Sequence, residues 1–284
     1  MKFASVEDSK FGFEEVVLDF NKGLKEQVIA FIRHLQEKFG RFEKLGVAVS
    51  GVVSKHKDRV LYSRHFAELT ATDFIKNVES ECSVKIYLEN DANAAAWAEY
   101  KLGAGRGSES IFYVLLGKGV GGAFILDGGI WRGADGFAGE IGQIPVDTEE
   151  NLRLEEVASS DGIVRRIKNR IHQDHTSSLA RISEELITIT DIIREANNKD
   201  EFTQMMLERT GNFIGIAVAN ALNLLNVEKV ILGGSIMQAG EPILKGVKQS
   251  AEIYTFKPGF NSAKIISGEL GDRASAIGAA LLAS

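Results

Sequence analysis

The segment around Asp91 has residue types and spacing suited to chemistry on a hydroxyl group. The apolar stretch 85–88 runs into Glu89, Asn90 and Asp91, and an alanine-rich helix is predicted directly after them. Asp91 is therefore expected at the carboxyl end of a strand, where open α/β sheets place their ligands. An amide beside a carboxylate can hold a hydroxyl and take its proton. Asp is also a preferred N-cap residue, so the alternative is that Asp91 only caps the helix.

A glycine-rich turn lies between two apolar runs, 111–116 and 122–126, which are predicted to be strands. Its glycines are Gly117, Gly119, Gly121 and Gly122. A hairpin tip without Cβ atoms lets backbone N–H groups converge on an anion such as phosphate. The alternative is an ordinary mobile turn, because an isolated glycine cluster is weak evidence for a site. A following Asp-Gly pair predicts a second tight turn and a third strand.

Two further acids follow this predicted meander. Glu140 is framed by glycines in the stretch 139–143, and Glu155 lies in the stretch 154–159. An ionised carboxylate accepts several strong hydrogen bonds, which suits a neutral polyol. Taken singly, Glu140 could be a turn acid and Glu155 a helix-start acid favoured by the helix dipole.

In their order and spacing, these segments resemble the ROK family of sugar kinases and sugar-responsive repressors. The resemblance covers nearly the whole chain. It is carried by the segments 46–51, 89–93, 117–122, 139–143, 154–159, 230–235 and 270–280. It implies an α/β protein with the actin-like ATPase (ribonuclease H-like) fold, in which two similar domains flank a cleft.

The resemblance also implies a role for each candidate residue in ATP-dependent phosphorylation of a sugar, a hexose in the first instance. Asp91 would be the catalytic base. The sugar would be bound by Asn90, Glu140, Gln143, Glu155 and Gly51. ATP would lie against Gly117, Lys118, Gly119, Gly121, Gly122, Gly233 and Gly234. Mg²⁺ would arrive with ATP, held largely by phosphates and water. For Gly233 and Gly234 the alternative is an ordinary tight strand-to-helix turn.

The first departure from the family pattern concerns zinc. Gln143 stands where many members have a zinc-binding histidine, and the stretch 145–153 replaces the cysteine-rich zinc loop. Cys82 is the only cysteine, and structural zinc normally needs four N or S ligands. His172 and His175 are three residues apart, but two imidazoles do not complete a coordination shell. We therefore expect no structural zinc and no other metal site, while the Gln143 amide could hydrogen-bond a sugar directly.

Two other departures bear on phosphate. Lys118 stands where the family's phosphate loop usually has threonine. It could attract phosphate as a point charge or be a solvated residue at the hairpin tip, and both interpretations stay open. Kinases of the family open with a strand that ends in Asp-x-Gly-Gly-Thr, whereas the stretch 1–6 resembles the second strand of that hairpin. The chain is therefore expected to bind sugar but to phosphorylate it poorly. The rival function is a non-catalytic sugar sensor related to the ROK repressors, without a DNA-binding domain.

The elements that must position these residues follow from hydrophobic periodicity and turn residues. Helices are predicted at 25–39, 92–102, 159–172, 191–197, 202–227, 240–252 and 274–282. Strands are predicted at 3–6, 16–20, 45–49, 85–88, 111–116, 122–126, 229–232 and 263–267. The order suggests a duplicated unit. A smaller N-terminal domain is expected at 1–105 with 271–284, and a larger C-terminal domain at 106–270, with a flexible linker at 103–108.

Length and composition fit this prediction. The 284 residues are 44% apolar, which suits a large core and two domains. The net charge is −6 with acids and bases interspersed, so no basic footprint for nucleic acid is present. The apolar stretch 213–227 is too short and too interrupted by asparagine to cross a bilayer. One cysteine and no signal segment indicate a cytoplasmic protein whose partner is a small-molecule sugar, with a homodimer left open.

Overall fold

A computed structural model describes residues 1–7, 10–19, 21–54, 56–64, 66–172, 174 and 176–284. Their strands are β1 (Lys2–Glu7), β2 (Lys10–Glu15), β3 (Lys44–Val49), β4 (Val52–Val53), β5 (Val60–Tyr62), β6 (Lys85–Asn90), β7 (Ile111–Leu116), β8 (Val120–Leu126), β9 (Gly129–Trp131), β10 (Pro145–Asp147), β11 (Leu152–Arg153), β12 (Lys229–Gly233) and β13 (Lys264–Ser267). Their α-helices are α1 (Leu24–Phe39), α2 (Phe74–Cys82), α3 (Asp91–Leu102), α4 (Leu154–Ala158), α5 (Ser160–Ile171), α6 (Ile189–Asn197), α7 (Glu201–Leu225), α8 (Glu241–Tyr254), α9 (Lys257–Ser262) and α10 (Ala274–Ala283).

The predicted helices are all present, with ends that differ by at most two residues. The short helices α2, α4 and α9 were not predicted, because five to nine residues carry little periodicity. None of the helices within the described residues is long and apolar enough to cross a membrane.

The predicted strand at 16–20 is wrong. The second strand ends at Glu15, residues 16–19 are irregular, and Phe20 lies outside the described residues. Backbone pairing extends one residue past β2, where Met1 and Val16 exchange hydrogen bonds. The chain then bonds to α1 instead, because the Asp19 N–H and carbonyl both bond the Gln27 side chain. The apolar run there is not a buried strand, since Val17 is 88% exposed.

The chain divides into two compact units. Unit 1 contains Met1–Lys101, Arg132–Ala138 and Arg273–Ser284, and unit 2 contains Leu102–Trp131 and Gly139–Asp272. This division differs from the predicted domain boundaries mainly at Arg132–Ala138, a loop that lies within unit 1.

Unit 1 is built around the parallel strands β3 and β6, with α1, α2, α3 and α10 as its helices. The antiparallel pairs β1–β2 and β4–β5 complete it. Helix α10 packs tightly on β3 because Gly46 has no side chain. A Cβ there would lie only 1.8 Å from the Ala279 carbonyl oxygen. An apolar core that includes Ile32, Val78 and Leu88 joins α1, α2 and β6.

Unit 2 is built around a five-stranded sheet in the order β13-β12-β7-β8-β9. Strands β13, β12 and β7 are parallel, and β8 and β9 continue as the antiparallel meander that the sequence predicts. Helix α7 is buried along much of its length, as its spacing of apolar residues predicts. Glycines at the α7–α8 contact bring the two helices close, because a Cβ on Gly211 would lie 2.2 Å from the Ile243 carbonyl oxygen.

The order of elements is duplicated. Unit 1 runs α1-β3-α2-β6-α3 after its first hairpin, and α7-β12-α8-β13-α10 follows the meander of unit 2 in the same way. The two parallel strands of unit 1 end where α3 and the β4 turn begin. The parallel strands β7 and β12 of unit 2 end at glycine turns. Of the predicted site residues, Asp91, Gly117 and Gly234 directly follow the ends of β6, β7 and β12.

Candidate functional site

Asp91 is the first residue of α3 and follows β6 directly. This confirms its predicted place at the carboxyl end of a parallel strand. Its backbone carbonyl accepts a hydrogen bond from the Ser275 hydroxyl at 3.0 Å, so α10 braces this helix start. One carboxylate oxygen accepts the N–H of Ala92 at 2.9 Å.

The residue that caps α3 is Asn90. Its side-chain oxygen accepts the N–H groups of Ala92 at 2.9 Å and of Asn93 at 3.1 Å. Its side-chain nitrogen donates to the Gly51 carbonyl at 3.0 Å. Asn90 thus satisfies the orphan donors of the helix start and also ties α3 to the turn after β3. The capping interpretation considered for Asp91 therefore applies chiefly to its neighbour.

Glu89 is buried just behind this helix start, with 3% of its surface exposed. One carboxylate oxygen accepts the Asn90 N–H at 3.2 Å and the Asn93 side-chain amide at 3.1 Å. The other lies 2.9 Å from the Lys57 Nζ and 3.2 Å from the Arg132 Nε. Burial alone would raise the pKa of Glu89, but Arg132 and Lys57 outweigh it, so the pKa lies below its ordinary value.

In unit 2, Glu155 lies against the glycine turn. Its carboxylate accepts the Val120 N–H at 3.2 Å. A Cβ on Gly119 would be 2.9 Å from the same carboxylate oxygen, so only glycine allows this approach without a shift. The segment that follows Glu140 also packs here, because a Cβ on Gly142 would lie 2.3 Å from the Val120 carbonyl.

Glu155 acts electrostatically on Glu140. The pKa of Glu140 is raised, first by desolvation from the surrounding protein and second by the negative charge of Glu155. The residue as a whole is nevertheless exposed to solvent. Solvent therefore screens part of the repulsion by Glu155. Two acids in one unit, one of them with a raised pKa, are a pattern typical of functional sites.

Gln143 is exposed at the end of the short 3₁₀ turn Ile141–Gln143. Its side-chain oxygen accepts a hydrogen bond from Arg153 Nη1 at 2.7 Å. The Gln143 amide keeps its NH₂ group for a ligand, whereas its acceptor already has a charged partner. A histidine at this position has no side-chain oxygen and could not accept the Arg153 hydrogen bond in this way.

The tip of the glycine turn consists of Gly117, Lys118 and Gly119. The Gly117 carbonyl accepts the backbone N–H of Ser160 at 2.9 Å and its hydroxyl at 3.0 Å. This places the tip at the first residue of α5. Lys118 is exposed there, so both interpretations of that lysine stay open.

The other two glycines of the turn lie inside β8. Gly121 is paired with Leu115, and Gly122 with Val114. Gly122 provides space for the stretch that leads to Glu140, since a Cβ on it would lie 2.6 Å from the Gly139 carbonyl oxygen.

Gly233 and Gly234 form the turn at the carboxyl end of β12. Gly234 has φ +94°, which favours glycine, and a Cβ on Gly233 would lie 2.0 Å from the Tyr113 hydroxyl. Because β12 pairs in parallel with β7, this turn is beside the glycine tip. A Cβ on Gly117 would be 3.7 Å from the Ser235 hydroxyl. Unit 2 therefore brings two strand ends and the start of α5 together, an arrangement that can bind phosphate through backbone N–H groups.

No group of three or more His, Cys, Asp or Glu side chains within the described residues is arranged to hold a metal ion. His172 is exposed after the last residue of α5, and His175 lies outside the described residues.

Sequence reasoning missed Glu89, Lys57 and Arg132 as members of the site. Glu89 gave one usable indication, because an acid in a strand next to the catalytic candidates needs a cationic partner if it is buried. Nothing in the sequence singled out Lys57 or Arg132 as that partner. Arg132 is 43 positions away in the chain.

Known proteins are similar to this chain in both sequence and fold. A glucokinase of Halalkalibacterium halodurans is 34% identical over 211 residues, which are 71% of this chain and 64% of that protein. The N-acetylglucosamine repressor of Escherichia coli is 27% identical over 263 residues, which are 90% of this chain and 64% of the repressor. The chain thus spans less than two thirds of the length of these two relatives. A ROK family glucokinase from Streptomyces griseus, solved in complex with glucose and AMPPNP, has a TM-score of 0.87 and 25% identity, covering 99% of this chain and 96% of that one.

The structural similarity gives the fold class. The protein has the mixed α/β fold of the actin-like ATPases, with two domains. The ROK family model matches residues 10–284. The chain belongs to the ROK family, and the resemblance noted from its motifs is confirmed.

Proposed function

We propose that this protein is an ATP-dependent sugar kinase that transfers the γ-phosphate of ATP to a hydroxyl group of a hexose. The observation that carries the proposal is the placement of Asp91. Its carboxylate stands at the carboxyl end of a parallel strand, on a helix start that Asn90 caps and Glu89 supports. The similarity to glucokinases gives the reaction class.

Phosphoryl transfer requires mainly that the reactants be positioned and that charge be stabilised. In our proposal Asp91 accepts the proton of the sugar hydroxyl as its oxygen attacks the γ-phosphorus. Glu140 and Glu155 accept hydrogen bonds from other hydroxyls of the sugar, and the Gln143 amide donates one. Carboxylate acceptors suit a neutral polyol, because each ionised oxygen can accept strong hydrogen bonds from hydroxyls.

We assign the nucleotide to the strand ends of unit 2. Gly117 and Gly119 at the tip, together with Gly233 and Gly234, have no side chains that would keep a phosphate away from the backbone of these turns. Mg²⁺ would enter with ATP and neutralise charge on the transferring phosphoryl group. The glucose and AMPPNP in the Streptomyces griseus structure support this pair of ligands for the family.

The test is Asp91→Asn in the purified protein, assayed for hexose-dependent ADP formation with Mg²⁺ and ATP. Loss of a general base typically costs about 10²–10⁴-fold in rate, while shape and one acceptor oxygen survive. Asp73→Asn is the matched control, because Asp73 is an exposed acid directly before α2 of the same unit. Near-normal turnover by Asp91→Asn would rule out Asp91 as the base.

A second candidate function is a sugar sensor that binds hexose without turnover. The similarity to the N-acetylglucosamine repressor over 90% of this chain favours it. A ligand that binds only the folded state raises stability by about 2.7 kcal/mol at a hundredfold excess over Kd. A hexose that shifts the melting temperature while no ADP forms, under conditions in which a glucokinase standard is active, would favour the sensor.

A further inference from the structure

We propose that Glu89 is a positioning residue for the phosphoryl transfer: together with Arg132 and Lys57 it holds the helix start that carries Asp91. The inference rests on the proposed kinase function. It concerns unit 1 alone, where Glu89, Lys57 and Arg132 all lie.

The first part of the argument is the contact of Glu89 with the start of α3. Its Oε1 accepts both the Asn90 N–H and the Asn93 side-chain amide, which lie on either side of Asp91. Asn93 is itself buried, with 5% of its surface exposed. The Asp91 backbone is thus bracketed by two hydrogen bonds to one buried carboxylate. Side chains held by such supporting bonds keep a productive geometry more reliably.

The second part is the role of the two cations. Lys57 lies on the turn between β4 and β5, and Arg132 begins the loop Arg132–Ala138. Both contact Oε2, so one carboxylate joins α3, this turn and this loop. Removing one partner of a buried ion pair leaves an uncompensated charge, which costs more than an exposed pair is worth. Glu89 therefore stays in place only while its cations do.

The loop itself is anchored in unit 1. Its last residue, Ala138, donates its N–H to the Arg132 carbonyl at 3.2 Å and so closes the loop. A Cβ on Gly136 would lie 3.0 Å from the Val53 carbonyl oxygen, so the loop rests on β4. Glu140 follows Ala138 by two residues. The Arg132 contact hence joins this loop to the carboxylate that supports the start of α3.

Glu89 acts through these neighbours and does not touch the substrate. The cavity beside it has a volume of about 30 Å³ and is lined by Glu89, Asn90, Asn93 and Arg132, among others. That is room for a water molecule or two and far too little for a hexose. A whole hexose therefore does not bind inside this cavity, and we assign Glu89 a role through its neighbours.

The experiment compares Glu89→Gln with Glu79→Gln, a matched control in the same unit. Glu79 supports the other end of β6 in a similar way: it accepts the Ile86 N–H at 2.8 Å and pairs with Lys85 at 2.9 Å. We expect kcat to fall at least tenfold for Glu89→Gln and less than twofold for Glu79→Gln, with KM for ATP unchanged in both. Both variants are assayed well below their melting temperatures. Equal kcat values for the two variants would overturn the inference.

A pH profile separates positioning from simple stabilisation. Within the described residues, the titratable side chains on the elements around Glu89 are His56, Lys57, Asp58 and Arg59 on the turn, Arg132 and Asp135 on the loop, Lys85 and Tyr87 on β6, and Asp91, Glu99, Tyr100 and Lys101 on α3. Burial raises the pKa of Glu89, whereas Arg132 and Lys57 lower it. If Arg132 is removed, only Lys57 counteracts burial, so the pKa of Glu89 must rise. For Arg132→Met we expect the acid limb of kcat to move to higher pH, with Arg132→Lys in between. An unmoved acid limb in Arg132→Met would contradict the inference.

The wild-type assay keeps the two proposals apart. An active wild type with an unaffected Glu89→Gln refutes the positioning role alone. A wild type that binds hexose without any turnover refutes the kinase proposal, and with it the reaction that Glu89 is proposed to serve.

Discussion

Gly122→Ala distinguishes two roles for the glycines of the turn. The motif assigns Gly122 to phosphate, whereas the structure packs it against the stretch that leads to Glu140. An added Cβ would lie 2.6 Å from the Gly139 carbonyl oxygen and 3.0 Å from both Ile141 and Phe112. Ordinary contacts begin near 3.4 Å, so the Gly139 carbonyl must retreat by about 0.8 Å.

The magnitude follows from that displacement. Overpacking of a well-packed core typically costs about 1–3 kcal/mol, which is roughly 2–12 °C in melting temperature for a chain of this size. A misplacement of about 1 Å can cost on the order of 10²-fold in catalysis. Glu140 follows Gly139 directly, so a shift of Gly139 also displaces Glu140. We therefore expect Gly122→Ala to lower kcat/KM for the sugar and to change KM for ATP less than twofold.

The assay measures KM for hexose and for ATP separately, together with the melting temperature. Gly129→Ala is the control, because its Cβ would meet only the Leu126 carbonyl at 3.9 Å in the same sheet. An increase in KM for ATP with unchanged sugar kinetics would refute the packing argument and support the phosphate role of Gly122.

Three further predictions follow from the charges of the site. Sugar affinity should fall as the pH drops through the raised pKa of Glu140. Glu155→Gln removes a negative charge and should move this decline to lower pH, whereas the control Glu150→Gln, at an exposed position, should not. An unmoved midpoint of the decline in Glu155→Gln, measured by calorimetric titration, would contradict the coupling. The lowered pKa of Glu89 contributes stability that is present above its ordinary value of 4.5 and is lost as the pH falls through the folded-state value, so urea unfolding of Glu89→Gln should depend less on pH in that acid range than wild type does. Purified protein should hold no stoichiometric zinc and keep its melting temperature in a chelator, since Gln143 pairs with Arg153 and no metal-binding group exists within the described residues; one zinc per chain by elemental analysis would be contrary evidence.

Local structure was predictable where local residues determine it. The start of α3 could be predicted because an alanine-rich stretch follows Asn90 and Asp91 directly, and capping requires only neighbouring groups. The meander of unit 2 could be predicted because an Asp-Gly pair defines the turn before β9. The predicted strand at 16–20 was wrong because contacts with α1, in which the Gln27 side chain bonds the Asp19 backbone, are not visible in a local apolar pattern.

The site could be predicted only in part, for a similar reason. Asp91 and Asn90 are adjacent in the chain, so their motif is visible as a unit. The carboxylate of Glu89 is joined to Arg132 across 43 residues, and to Lys57 on a turn between two very short strands. Such contacts depend on how the loop Arg132–Ala138 packs on β4. The hydrophobic periodicity of a sequence carries no information about this packing.

The hydrogen bonds of Asn90 limit what it can offer a sugar. Its side-chain oxygen has two lone pairs, and the N–H groups of Ala92 and Asn93 occupy both. Its NH₂ group has two hydrogens, and the Gly51 carbonyl takes one. Asn90 can therefore donate a single hydrogen bond to a sugar oxygen but cannot accept one. Sugar hydroxyls that donate would therefore need other acceptors, and under the proposed function we assign that role to the carboxylates of Asp91, Glu140 and Glu155.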